Sequence, residues 1–378
     1  MIQRELASVI REKLQSGKAI IIIGARQVGK TTLLKMLFSD NDQVVWLNGD
    51  ELDVQQLFAN LSSTRFAAFL GNKKLVIVDE AQRIPDIGLR LKLIVDQLPG
   101  IQLIVTGSSS FDLLSKVNEP LTGRKWEYNM YPLSFREMVN YQGLLAEKRM
   151  IPHRLVYGYY PEIVSNQGSE KELLKQLSES YLYKDIFLLE SIKRPSNLVQ
   201  LLQGISFQVG SVVSYHELSK YCGLDVKTVE KYVTILERAF VVFRIPSFSR
   251  NLRAELKKSR KIYFYDNGIR NALISNFNQL ENRADVGALW ENFLMSERIK
   301  QQSYSSVGVN HYFWRTTEQK EIDLLEESGE NLKAFEFKWN SSAKSKLPSA
   351  FLQAYPKATF QTISMQNVDE FLLENRHD

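Results

Sequence analysis

The sequence predicts an α/β protein in which a parallel sheet flanked by helices carries a phosphate-binding loop and is followed by further domains. Three observations lead to this class. Gly24-Ala25-Arg26-Gln27-Val28-Gly29-Lys30-Thr31 fits the pattern G-x-x-x-x-G-K-[ST]. Strand-like apolar runs at Ile20–Ile23, Val44–Leu47, Leu75–Val78 and Leu103–Thr106 alternate with helical patterns, the order of a parallel sheet wrapped by helices. Asp79 and Glu80 emerge directly after the third run, at the carboxyl end of a strand, where α/β sheets bind ligands.

The loop sits in the setting that its chemistry requires. The apolar run Ala19–Ile23 precedes it and the helix-like Thr32–Phe38 follows. Glycines at both ends let the backbone curl so that its N–H groups surround a phosphate, and the N-terminus of the following helix adds positive potential. Lys30 is expected to reach the β- and γ-phosphates, and Thr31 to give its hydroxyl to Mg²⁺. Residues Gly24 to Thr32 are therefore the expected nucleotide-binding set of a P-loop NTPase, with ATP and Mg²⁺ as cofactors. A plain glycine turn explains the eight residues less well, because it needs neither the strand before nor the helix after.

Asp79 is placed to hold Mg²⁺, directly or through a water, and Glu80 to take a proton from the attacking water, which makes hydrolysis the expected reaction. The fourth strand ends in Thr106-Gly107-Ser108-Ser109, so Thr106 or Ser108 could sense the γ-phosphate; a glycine-serine turn is the other reading. Arg124 has two open roles: a charge offered to the nucleotide of a neighbouring subunit in a homo-oligomer, or an ordinary salt bridge.

Composition bounds the rest. A length of 378 residues allows two or three domains, and 44% apolar with 24% charged residues supplies core for them. The single cysteine, Cys222, excludes an intramolecular disulfide and a cysteine-cluster zinc site. The start of the chain reads as an amphipathic helix without a signal pattern, and no apolar stretch is long enough to span a bilayer, so a cytoplasmic protein without membrane contact is expected. The net charge of +5 is unevenly spread: residues 198 to 262 hold eleven lysines and arginines, Lys261 among them, against five acids. Such a stretch suits nucleic acid, or is simply a solvated face.

Several motifs occur in order: Gly24–Thr31, Val78-Asp79-Glu80-x-Gln82, Thr106–Ser109, Tyr131-Pro-Leu-Ser-Phe-x-Glu137, Gly158-x-x-Pro161-Glu162 and Tyr183-x-Asp185-Ile186. Together they resemble the AAA-type ATPases of bacteria and archaea in which a P-loop core precedes a C-terminal region of unknown function. The resemblance covers essentially the whole chain. It implies an ATP-binding core of the additional-strand, catalytic-glutamate type and leaves the biological role open.

From Met130 to about Ile192 the chain reads as mainly helical, closing the ATPase domain. Leu198–Gln208 forms a helical pattern, Ser214-Tyr215-His216-Glu217 opens a second helix that stops at Gly223, and Asp225 caps a third over Val226–Ala239, with Val229, Val233, Leu236 and Phe240 inward. Strands Val241–Ile245 and Lys261–Tyr265 then pair around a loop carrying Arg250, Arg253, Lys257, Lys258 and Arg260. This is the pattern of a winged helix. Lys227, Thr228 and Lys231 would face DNA while the wing touches phosphates; an adaptor for a protein partner is the equal alternative.

Glu321-Ile-Asp323-Leu-Leu325, a turn at Ser328-Gly329, and Ala334-Phe-Glu336-Phe-Lys338-Trp339 read as a β-hairpin. Side chains two apart share a strand face, so Glu336 and Lys338 point together, opposite Phe335, Phe337 and Trp339. With Asp323 on the partner strand and Glu291 on the helical segment Gly287–Ile299, the pattern resembles the D…E-x-K site of restriction-endonuclease-like nucleases. That resemblance implies that the acids hold Mg²⁺ and that the lysine positions the attacking water. A structural cluster paired with Lys338 or Arg315 is the other explanation.

The expected domains are 1–192, the ATPase with a helical extension; 193–265, the winged helix; and 266–378, the restriction-endonuclease-like α/β domain. The expected function is ATP hydrolysis driving a conformational switch that controls DNA or protein-partner binding. An ATP-gated nuclease using Glu291, Asp323, Glu336 and Lys338, and a non-cleaving scaffold, are the alternatives.

Overall fold

The computed structural model describes residues 2–107, 113, 116–189, 195–249, 259–305, 308–316, 318–340 and 345–374, with the backbone alone at 180–189 and 195. The chain divides into two compact units, one built mainly from Gln3–Pro132 and the other from Leu133–Glu237 with Val241–Asp378.

The first unit is organised by a parallel sheet of β1 (Ala19–Ile23), β2 (Val44–Asn48), β3 (Leu75–Asp79), β4 (Gln102–Gly107) and β5 (Lys125–Asn129), in the order β2-β3-β4-β1-β5. Helices Leu6–Lys13, Lys30–Phe38, Leu52–Ala59, Ser63–Leu70 and Ile87–Gln97 accompany it. β1 is an interior strand between β4 and β5, and Ile20, Ile21, Ile22 and Ile23 are all buried, as expected for a strand covered on both faces. β5 escapes the sequence reading for the opposite reason. It is an edge strand, Lys-Trp-Glu-Tyr-Asn, with no fully buried residue and so no apolar run. Its register, Ala19 opposite Lys125 and Ile23 opposite Asn129, carries Met130 to the start of the phosphate loop.

The second unit begins with helices Phe135–Gln142, Leu144–Tyr157, Pro161–Ser165 and Glu170–Leu189. The expected ATPase domain runs on to residue 192, whereas the first compact unit closes at Pro132 and these helices group with the C-terminal part. The Ser134-Phe-x-Glu137 motif has a physical basis here. The Ser134 hydroxyl accepts from the Glu137 amide and the Glu137 carboxylate accepts from the Ser134 amide, both over 3.0 Å, a complete capping box.

Next come helix Pro195–Phe207, β6 (Val212–Val213), helices Tyr215–Cys222 and Val226–Arg238, β7 (Val242–Pro246) and β8 (Arg260–Phe264). The three strands form an antiparallel sheet in the order β6-β8-β7. Gly223 ends its helix in the left-handed conformation, and the Asp225 carboxylate accepts from the Thr228 amide over 2.9 Å, as the cap signals predict. Val229, Val233 and Leu236 form the buried stripe.

Helix Val286–Ser303 then packs on a mixed sheet of β9 (Asn310–Arg315), β10 (Glu321–Ser328), β11 (Asn331–Phe337) and β12 (Thr359–Ile363), ordered β12-β11-β10-β9. β11 and β12 run parallel and the other pairs antiparallel. The buried Arg298 guanidinium fixes the helix by gripping Glu326 of β10 over 2.7 and 3.0 Å and donating to the Phe371 carbonyl over 2.7 Å. Among the described residues no helix is long and apolar enough to cross a membrane.

Candidate functional site

The loop between β1 and helix Lys30–Phe38 is shaped by close backbone approach. A Cβ at Gly24 would lie 2.0 Å from the Met130 carbonyl oxygen, and the Met130 amide donates to the Ile23 carbonyl over 2.7 Å. Gly29 has φ +97° and Gln27 φ +60°, a left-handed backbone that turns the chain into the helix. Ala25 and Val28 are buried, Arg26 and Gly29 half-buried, and Gln27 and Thr32 exposed. Lys30 is only 5% exposed, and its ammonium donates to the Gly24 and Ala25 carbonyls over 2.9 and 2.8 Å. Arg4, which sequence reasoning missed, braces the loop from the N-terminal segment. It donates to the Val28 carbonyl over 2.6 Å and the Tyr131 carbonyl over 2.7 Å. An arginine ahead of an amphipathic helix carries no local signal of such a role.

The carboxyl ends of β3 and β4 meet this loop. The Thr31 hydroxyl donates to Asp79 Oδ2 over 2.6 Å, and the buried Thr106 hydroxyl donates to Asp79 Oδ1. The Glu80 amide donates to Asp79 Oδ1 and to Thr106 Oγ1 over 3.2 and 3.3 Å. Glu80 itself is left-handed at φ +50°, and its carboxylate accepts from the Gln82 side-chain amide over 2.6 Å. Lys30, Thr31, Asp79, Glu80 and Thr106 are thus gathered into one site. The Thr31 hydroxyl and Asp79 carboxylate are hard oxygen donors of the kind Mg²⁺ takes, and these two side chains would hold it. Bound there, the ion would offset negative charge on phosphate oxygens.

Two other expected site residues stand apart. Ser108 lies outside the described residues. Arg124 precedes β5 at the amino end of the sheet, where its carbonyl accepts from the Ala19 amide, whereas the loop leaves the carboxyl end of β1. Its guanidinium donates to Asp96 over 2.6 Å, the geometry of a surface salt bridge.

On helix Val226–Arg238, Lys227 and Lys231 are exposed and one turn apart, while the Thr228 hydroxyl is engaged by Asp225 over 2.6 Å. Arg250, Arg253, Lys257 and Lys258 lie outside the described residues. Arg260 stacks over the Tyr215 ring at 4.9 Å and Arg244 pairs with Glu237. Lys261, counted in the basic stretch as surface charge, is a correction: it is fully buried.

Lys261 leads to the C-terminal cluster. Its ammonium donates to Glu291 over 2.9 Å and contacts Glu321, and the Tyr263 hydroxyl donates to the same Glu291 oxygen over 2.6 Å. Asp323 accepts from the Phe337 amide over 2.8 Å, and Lys338 donates to Glu336 over 2.8 Å. Glu336 and Lys338 therefore share a side as the strand period predicts, and Phe335 and Phe337 are buried. Burial pushes the Asp323 carboxyl well above the usual range, reinforced by Glu291 and Glu336 and opposed by Lys261. Among the described residues no group of three or more His, Cys, Asp or Glu is arranged to hold a metal ion. The four side chains nonetheless lie within electrostatic reach of one another, Asp323 feeling Glu291 and Glu336, and Lys338 feeling all three acids.

Comparison with known proteins matches residues 16–139 to an AAA domain, 148–281 to a domain of unknown function (DUF8612) and 286–372 to another (DUF4143). An uncharacterised protein of Mycobacterium tuberculosis is 25% identical over 345 residues, covering 90% of this chain and 74% of its own. An uncharacterised protein of Methanocaldococcus jannaschii is 22% identical over 382 residues, covering 95% and 82%. Among solved structures, the Walker-type ATPase of Pyrococcus abyssi matches with a TM-score of 0.50 at 15% identity, over 72% of this chain and 96% of its own, a likeness of fold.

Proposed function

We propose that this chain, an AAA-domain protein with a C-terminal domain of unknown function and uncharacterised relatives in bacteria and archaea, hydrolyses ATP with Mg²⁺ and uses the nucleotide state to control a partner. The observation that carries this reading is the convergence of Lys30, Thr31, Asp79 and Glu80 at the carboxyl end of a parallel sheet. Loop amides and the Lys30 ammonium would grip the triphosphate, Thr31 and Asp79 would hold the metal, and Glu80 would accept a proton from the attacking water. Thr106, bonded to Asp79, would keep that carboxylate oriented. The exposed Lys227 and Lys231 favour the DNA phosphate backbone as the partner surface.

The test is a pair of variants assayed for ATP binding by calorimetry and for phosphate release. Lys30→Ala is expected to weaken ATP binding at least about tenfold, from loss of a charge-assisted contact. Glu80→Gln is expected to keep binding and lose turnover. Phosphate release at the wild-type rate by both would discard the reading. Duplex DNA affinity that is identical for nucleotide-free and ATP-loaded Glu80→Gln protein would remove the switch while leaving the ATPase intact.

A further inference from the structure

The acidic cluster of the C-terminal domain already contains a cation, supplied by the chain. Lys261 on β8 is fully buried, and its side chain ends between carboxylates from two other elements: Glu291 of helix Val286–Ser303, 2.9 Å away, and Glu321 of β10. The Phe313 ring centroid lies 5.5 Å from the ammonium. Both charged ends of this arrangement are supported. The Tyr263 hydroxyl donates to the Glu291 oxygen that Lys261 contacts, and Arg315 lies 3.4 Å from Glu321. Asp323 sits in the stretch of β10 where its register against β9 shifts, an irregularity of the kind that re-aims side chains.

Among the described residues, the carboxyl groups of Glu291, Glu321, Asp323 and Glu336 are met by Lys261, Lys338 and Arg315, so one carboxyl group is left without a cation. Burial raises the Asp323 carboxyl first, with Glu291 and Glu336 adding to it, which favours the uncharged form for that remaining group. Burial alone would lower the Lys261 ammonium, but Glu291, Asp323 and Glu321 outweigh it and keep it protonated. A divalent-metal nuclease site needs the reverse balance: uncompensated carboxylates converging on an ion from which water has been partly stripped.

We infer that Lys261 is the resident cation of this cluster, held by Glu291 and Glu321 beside Asp323, so that the cluster takes no divalent metal and acts as an ionic junction between β8, helix Val286–Ser303 and β10. A buried charge that is satisfied from both sides is costly to displace, because removing either partner strands the other. The junction would therefore hold the two sheets of this unit in register, and the D…E-x-K pattern would survive in service of assembly. This inference is independent of the nucleotide reading.

The test measures Mn²⁺ uptake by electron paramagnetic resonance on the 378-residue chain without nucleotide, for the wild type, Asp323→Asn, Lys261→Met and the double variant. Wild type and Asp323→Asn are expected to bind the same amount of Mn²⁺. Lys261→Met is expected to gain one Mn²⁺ per chain, and the double variant to lose it. A wild-type site that Asp323→Asn abolishes would overturn the inference, as would a Lys261→Met protein that melts cooperatively and gains no site. Should Lys261→Met fail to fold, the wild-type and Asp323→Asn comparison decides by itself.

Discussion

The Arg4 guanidinium donates to the Val28 carbonyl over 2.6 Å, so a residue of the segment ahead of the first helix holds a peptide group of the phosphate loop. The same side chain holds the Tyr131 carbonyl over 2.7 Å and is 8% exposed. Its removal leaves two buried carbonyls without this donor. Arg4→Ala is expected to lower unfolding free energy by about 2 kcal/mol and to weaken ATP binding roughly threefold to tenfold. Urea denaturation and calorimetry measure the two effects. An unchanged ATP affinity would mean that the glycines and Lys30 hold the loop unaided.

Gly158 meets Asp266 in a way that admits no side chain. Its φ is +74°, and a Cβ there would lie 2.0 Å from Asp266 Oδ1. Asp266 is buried, accepts from the Tyr159 amide over 2.6 Å and caps the helix Asn267–Leu273 through the Ile269 amide. Gly158→Ala combines backbone strain with steric overlap and is expected to cost about 3 kcal/mol. Gly168→Ala is the control: it also has positive φ, +95°, but has nothing within 4 Å. Its expected cost is about 1 kcal/mol. Equal melting temperatures for the two variants would show that the contact with Asp266 relaxes freely.

Acid stability should carry a signature of Asp285. Burial alone would raise its carboxyl, but hydrogen bonds from Arg283 and Arg270, aided by their charges, hold it down at about 2 against an ordinary 3.8. The contacts are 2.8 Å to Arg283 and 2.5 Å to Arg270. A depressed carboxylate contributes stability that is fully present above its unfolded value and is lost as pH falls through its folded value. The window here runs from pH 3.8 down to about pH 2. Across it the wild type is expected to lose about 1 kcal/mol more than Asp285→Asn, a figure discounted for the exposed part of the side chain. Chemical denaturation at a series of pH values gives the difference directly, and parallel curves would remove Asp285 from the acid response.

How much of this was legible in the sequence depended on whether the signal was local. The phosphate loop, the acids after β3 and the isoleucine strand β1 are local patterns, because a strand buried on both faces must be apolar throughout. The cap of helix Val226–Arg238 by Asp225 is local too. β5 was hidden because an edge strand keeps polar residues, and with it went the explanation for Gly24. Arg4 reaches Tyr131 across more than a hundred positions, and Lys261 meets Glu291 and Glu321 from another sheet. In a sequence each is one more basic residue. Period two correctly put Glu336 and Lys338 side by side, but it could not reveal that a third strand brings its own cation to Glu291.

The close approach of Met130 to Gly24 seals one wall of the phosphate loop. On the sealed side even a methyl group is excluded, so that face is available only to backbone. Side-chain variation in this loop is consequently channelled away from Gly24 and toward the exposed Gln27, which can lengthen or change sign without displacing the edge strand.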